Sequence, residues 1–228
     1  DWTTTELPDF TERLRWLRRN RPAETDSIFV TTAEGAAQAT LMAIPPDRHA
    51  RLLTRMFDED EFLSPFGIRS MSAAYRGGST VRLPSGELEI AYTPGESDTG
   101  LFGGNSNWRG PVWMPVNVLL ADALRVYAAG AGAGLRVEFP SGSGTLLDLG
   151  EVADQLEGRL VALFRPGPDG RRPSDPRDHL SGPLWSVHPV FSEYFHGDTG
   201  VGLGATHQTG WTALVAHLIC GGGRKPAP

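Results

Sequence analysis

The sequence predicts a mainly α domain whose helices are joined by long, elaborate loops and one small β-hairpin. Three observations predict it. Apolar residues recur at helical spacing in several separate segments. Strand-like runs do not alternate with those segments, which argues against a doubly wound parallel sheet. From Phe62 to Gly110 the helical period fades and Gly, Ser and Pro become frequent. A loop of that length in a compact domain is functional or disordered, and its aromatic residues Phe62, Phe66, Tyr92, Phe102 and Trp108 favour function.

Pro8 suits a first helical position. Leu7, Phe10, Leu14 and Leu17 then recur at helical spacing until Arg21-Pro22 ends the run. A second helix is expected over Glu34 to Ala43, and a third from Pro46 and Asp47 to Phe57 with Leu52, Leu53, Met56 and Phe57 as its buried stripe. Thr80 to Tyr92 alternates around Pro84-Ser85-Gly86 and reads as a hairpin, Val81 and Leu83 facing Leu88, Ile90 and Tyr92. Trp113 to Ala129 places Val116, Leu119, Leu120, Ala123, Leu124 and Tyr127 on one helical face. Leu146 to Phe164 and Thr209 to Ile219 complete about six helices by the same reading. The tail, residues 221–228, is expected to be disordered.

The composition excludes whole classes of function. Lys plus Arg is 21 and Asp plus Glu is 27 in 228 residues, so the net charge is −6. That balance lacks the basic footprint of a nucleic-acid binder. No apolar run is long enough to span a membrane. Cys220 stands alone, which rules out an internal disulfide framework and points weakly to a reducing, cytoplasmic compartment. The chain starts at Asp1 rather than methionine, so it is expected to be a processed form or the back part of something longer.

Several chemistries find no support. Gly200-Val201-Gly202-Leu203-Gly204 has no preceding strand signal, no GK[ST] and no acidic partner further on, so a nucleotide loop is not expected. The histidines at 49, 179, 188, 196, 207 and 217 include no HExxH pair, and no G-x-S-x-G elbow occurs. No metal or cofactor is implied. Two aromatic, polar segments remain, Gly103–Trp113 and Ser192–Trp211, the second bearing the carboxylates Glu193 and Asp198. Between them the two segments put Trp, Asn, Arg, Gln and carboxylates on Gly-flanked loops. That mixture suits a sugar, whose C–H faces stack on indoles and whose hydroxyls need both donors and acceptors. The plainer alternatives are helix-start packing for Trp108 and Trp113 and a surface glutamate for Glu193.

The run NSNWRGPVW followed by MPVN resembles the helix start of glycoside hydrolase family 63, which includes processing α-glucosidase I and the bacterial glucosylglycerate and mannosylglycerate hydrolases. SEYFHGDTGVGLGATHQTGWTA is similar to that family's C-terminal signature, and RMFDEDEFLSPFGIRSMS and PGESDTGLFGG match its larger bacterial members. The resemblance covers nearly the whole chain. It implies an (α/α)6 toroid and an inverting mechanism, in which one carboxylic acid protonates the leaving oxygen and a second carboxylate, about 6.5–9.5 Å away, activates water.

By that resemblance Glu193 is the general base. Asn107, Trp108, Arg109 and Trp113 form one sugar-binding wall, and Gln208 and Trp211 another. Phe66 and Gly67 line the entrance, and Glu96 is expected either to accept hydrogen bonds from substrate hydroxyls or to be a plain surface glutamate. The family's general acid lies well upstream of the base, and counting back passes Asp1; Asp58, Asp60 and Asp98 come too late to carry the role. A twelve-helix toroid needs about 350 residues. Residues 1–220 are therefore expected to form its C-terminal half, to leave an apolar face exposed, and to pack on an N-terminal part that brings the acid. The alternatives are a non-catalytic carbohydrate-binding or inactive half-toroid, and a helical scaffold in which Trp108, Arg109 and Glu193 do not converge. The expected partner is a carbohydrate substrate, with no nucleic acid and no membrane.

Overall fold

The computed structural model describes residues 7–25, 28–33, 36–41, 44, 46–100, 106–130, 134–175, 183–207, 210, 211 and 213–221. The expected disordered tail lies outside them from residue 222 onward, as do Phe102 and Gln208. Among the described residues, no helix is long and apolar enough to cross a membrane.

Two long helices form the centre. α4 (Met114–Ala129) and α5 (Leu149–Ala162) lie side by side. α5 starts at a capping box, in which the Asp148 carboxylate accepts from the Glu151 amide while the Glu151 side chain accepts from the Asp148 amide. Ala121, Leu124 and Tyr127 meet Val152, Ala153 and Leu156, together with Leu53, Phe57, Leu63 and Ile68. Arg125 bridges the pair, bound to Glu157 and, at 2.7 Å, to Asp154. The hydrogen bond that Arg125 donates to Glu157 raises the guanidinium pKa further above its usual value.

The earlier helices are α1 (Pro8–Asn20), α2 (Pro22–Thr25) and α3 (Pro46–Met56). α1 begins at the expected proline but buries none of its residues. After α5 come α6 (Pro183–Val187) and α7 (Leu214–Ile219).

The mainly α expectation fails. Among the described residues, eleven short strands in five antiparallel sheets accompany seven α-helices, so the half-toroid reading is replaced by a mixed architecture. Where a helix was expected over Glu34 to Ala43, β1 (Ile28–Ala33) pairs with β2 (Ala36–Leu41). The run Ile28-Phe29-Val30-Thr31-Thr32 is rich in β-formers and pairs with the Ala-rich stretch in spite of that stretch's own helical propensity. Local pairing also claims a connector that read as a loop, β3 (Leu63–Ser64) with β4 (Gly67–Ile68), and the first residues of the helix expected from Leu146, where β8 (Arg136–Glu138) pairs with β9 (Leu146–Asp148). The hairpin expected at Thr80 to Tyr92 is present as β5 (Ser79–Leu83) and β6 (Gly86–Ile90), with Val81 opposite Leu88.

α4 also turns a different face inward. It buries Met114, Asn117, Val118, Ala121, Leu124 and Tyr127, whereas Val116 and Leu119 point outward at 41% and 68% exposure. The helix is apolar nearly all round, so periodicity could not choose the face that meets α5.

One sheet positions the chemistry. β7 (Val112–Trp113), β10 (Ser192–Phe195) and β11 (Gly202–Thr206) run in the order β11-β10-β7. Val112 and Phe195 anchor it in a second core with Met114, Val118, Leu160 and Val215, so the sheet is seated on the helix pair.

Candidate active site

The two segments singled out by composition are 80 residues apart and hydrogen-bonded neighbours in space. Tyr194 pairs with Trp113, and Phe195 with Val112. The pairing stacks the Trp113 indole on Tyr194 at 4.6 Å, and Trp108 lies parallel on Trp113 at 4.0 Å. Trp211 meets Trp113 edge-on at 5.6 Å. Trp113 is 1% exposed, with its indole N–H donated to the Asn107 carbonyl at 2.9 Å, and forms the centre of the stack. Trp108 and Trp211 keep 41% and 38% of their surface exposed and are the indoles available to a ligand.

Glu193 stands on β10 beside this stack. The register places Ser192 opposite Thr206 and Tyr194 opposite Leu203, so Glu193 alone faces two residues, Gly204 and Ala205. That is a β-bulge, a feature common beside active sites because it re-aims a side chain. The Ala205 amide donates to Glu193 Oε2 at 3.3 Å, and the preceding Gly204 amide donates to Glu96 Oε1 at 2.9 Å. The Tyr194 phenol donates to Glu96 Oε2 at 2.5 Å. Burial, then the Glu96 hydrogen bond and the Glu96 and Glu193 charges, push the Tyr194 pKa well above its usual value. Two carboxylates from distant parts of the chain thus grip successive amides of one strand.

The loop bearing Glu96 is tied down by Asn107, whose amide donates to the carbonyls of Thr93 and Gly95 at 2.6 and 2.7 Å while its Oδ1 accepts from the Arg109 amide. Asn107 is 1% exposed, and these bonds occupy its side chain. The buried Arg109 guanidinium pairs with Asp98 at 2.5 Å and holds that exposed carboxylate below its usual pKa. Phe66 packs against Gly200, and Gly67 is buried against Asn117. The structure thus brings Glu193, Glu96, Trp108, Trp113 and Trp211 together, with Asn107 and Arg109 behind them, and leaves Phe66 and Gly67 as packing. Gln208 lies outside the described residues.

Three participants were not legible in advance: Tyr194, Gly204 and the clasp around Tyr92. The Tyr92 phenol donates to Asp198 at 2.8 Å, Arg76 pairs with the same oxygen at 2.8 Å and Arg69 at 3.4 Å. Arg76 also lies over the Tyr92 ring at 4.6 Å. Burial would raise the Asp198 pKa, but the Arg76 and Tyr92 hydrogen bonds outweigh it and hold the carboxyl below the usual range. Gly110 sits at φ +144°, and a Cβ there would lie 2.6 Å from the Tyr92 ring. The available signal was glycine spacing: Gly110, Gly197 and Gly204 all fall in the two motifs. Among the described residues, no three His, Cys, Asp or Glu side chains gather in a way that could hold a metal ion.

A family model described as the mannosylglycerate hydrolase MGH1-like glycoside hydrolase domain matches residues 12–212. An uncharacterised Saccharomyces cerevisiae protein, YMR196W, is 43% identical over 217 residues, which cover 92% of this chain and 20% of that protein. A mannosyl-oligosaccharide glucosidase of the same yeast is 30% identical over 122 residues, covering 52% of this chain and 11% of that enzyme. The chain therefore spans only a small part of the length of either relative.

Proposed function

The chain belongs to the MGH1-like glycoside hydrolase domain family, and on that premise we propose that it supplies the general base and part of the sugar-binding wall of an inverting, α-glucosidase-like hydrolase. The observation that carries this reading is Glu193 opposite the Gly204–Ala205 bulge, beside an aromatic stack whose outer indoles remain exposed. In the proposed reaction Glu193 takes a proton from water as the water oxygen bonds to the anomeric carbon. The glycosidic C–O bond breaks on the opposite face, and the leaving oxygen receives a proton from a carboxylic acid elsewhere in the polypeptide. Trp108 and Trp211 stack on the sugar, with Arg109 and Gln208 supplying donors.

Three of this chain's carboxylates near the site already act as acceptors: Glu96 from Tyr194 and Gly204, Asp98 from Arg109, and Asp198 from Arg76 and Tyr92. This favours an acid brought by a further segment. Val116, Leu119 and Val126, exposed on α4 at 41%, 68% and 69%, suit an apolar face covered by such a segment. Glucosides or small oligosaccharides are the substrate class, and the names of the relatives make mannosylglycerate and glucose-capped mannosyl oligosaccharides the first compounds to try.

The test is an assay of the intact polypeptide on aryl α-glucosides, glucosylglycerate and mannosylglycerate, followed by Glu193→Gln. General-base catalysis is typically worth about 10²–10⁴-fold, so turnover is expected to fall by that much. Activity retained within about threefold removes Glu193 from the role. Hydrolysis by the 228-residue chain alone refutes the external acid.

A further inference from the structure

We infer that Glu96 and Tyr194 form a positioning pair that holds the Gly204–Ala205 bulge and thereby aims the Glu193 carboxylate. The inference rests on Glu193 being the base and deepens that reading by assigning Glu96 a task other than contact with the sugar.

A bulge places two backbone N–H groups where the regular ladder offers one partner, which leaves a donor for a side-chain acceptor. Here the two amides are divided between two carboxylates, Gly204 to Glu96 at 2.9 Å and Ala205 to Glu193 at 3.3 Å. Glu96 therefore fixes the amide immediately before the one that holds the base. Its second oxygen takes the phenol of Tyr194, which is fully buried and is the residue directly after Glu193. The pair thus grips both strands of the bulge, β10 through Tyr194 and β11 through Gly204.

The anchor is itself fixed. Asn107 holds Thr93 and Gly95 on the N-terminal side of Glu96, and the Gly197 amide donates to the Pro94 carbonyl at 3.0 Å. Gly204 completes the device. It sits at φ +68°, and a Cβ there would lie 2.5 Å from Tyr194 Cε1 and 2.9 Å from Glu193 Oε2. A glycine in the left-handed region at the first bulge position lets the strand pass close to the Tyr194 ring and the Glu193 carboxylate, where a side chain would collide. The raised pKa of Tyr194 keeps the proton on the phenol, which donates to Glu96 Oε2.

The experiment uses the intact polypeptide, with kcat and KM measured for wild type, Glu193→Gln, Glu96→Ala, Glu96→Gln, Tyr194→Phe and the Glu96→Ala/Tyr194→Phe double variant. Displacement of a catalytic group by about 1 Å can cost about 10²-fold. Glu96→Ala is therefore expected to lower kcat about 10–100-fold and to change KM by less than about threefold. Glu96→Gln, whose amide oxygen can still accept from Gly204, recovers much of the loss. The double variant costs no more than the worse single one, because one unit is removed twice.

A rise in KM at unchanged kcat makes Glu96 a sugar contact and overturns the inference, as do additive losses. Activity surviving Glu193→Gln overturns the underlying reading instead. An arm independent of turnover is an ultraviolet pH titration of wild type and Glu96→Gln, each measured against its Tyr194→Phe counterpart. The Tyr194 phenol is expected to ionise at lower pH once the carboxylate is gone. An unchanged titration overturns the pairing even if no substrate has been found.

Discussion

The α4–α5 helix pair and the seam where Trp108–Trp113 meets Ser192–Gly204 are held by different physics. The helix pair is an apolar contact in which Leu124, Leu156 and their neighbours exclude water, and each side chain could be exchanged for another of similar volume. The seam is held by named atoms: Asn107 on two carbonyls, Trp113 on a third, Asp198 gathering Tyr92, Arg76 and Arg69, and glycines where backbone and ring nearly touch. A core of the first kind gives stability without specifying positions to a fraction of an ångström. A seam of the second kind specifies positions, and it is where Glu193 and Glu96 are found.

If that division is right, damage to the two regions has different signatures. The largest stability loss is expected from Leu156→Ala, since Leu156 is fully buried at the helix contact. The cavity costs about 2–5 kcal/mol, seen as a lower melting temperature of the intact protein, while the KM of the protein that remains folded is unchanged. A smaller loss in stability with a larger loss in function is expected from Gly110→Ala. The added methyl collides with the Tyr92 ring at a backbone angle that disfavours side chains, costing about 1–3 kcal/mol as overpacking does. Turnover per folded molecule falls as well, because Tyr92 and the following loop carry Glu96. Equal functional losses per folded molecule in the two variants would abolish the distinction.

The same contrast explains what the sequence disclosed. The helix pair was legible because apolar spacing has a period, although α5 starts three residues later than that spacing alone suggests, at the Asp148–Glu151 capping box. The inward face of α4 was not, because Val116 and Leu119 are as apolar as Val118 and Leu124 and only the partner decides. The β1–β2 hairpin was missed because Glu34 to Ala43 reads as helix in isolation and the strand partner lies just before it. The site was legible as residue types: Glu193, Trp108, Trp211 and Glu96 were named from composition and family resemblance, and they come together. Their division of labour was not legible. Nothing in the spacing says that Glu96 and Glu193 bind successive amides of β11, since that depends on one extra residue in its register.

The smallest of these effects is the one with the sharpest pH signature. Asp198 lies on the loop after β10, and its carboxylate joins the Glu193 side of the seam to Tyr92, Arg69 and Arg76. Its pKa is depressed in the folded protein, the hydrogen bonds from Arg76 and Tyr92 outweighing the burial that would raise it. The folded state therefore binds this proton less readily than the unfolded chain does. The stabilisation is fully present above the ordinary carboxylate range and is lost as pH falls through the folded value. Asp198→Asn keeps an acceptor oxygen but removes the charge, and Arg76 is more than half exposed, so its share is screened. The expected cost is about 1–2 kcal/mol. Melting curves of wild type and variant should differ most above about pH 5 and converge as the solution is made more acidic. A gap that stays constant with pH would mean that the clasp holds the seam by shape, as the helix pair holds its core, and not by charge.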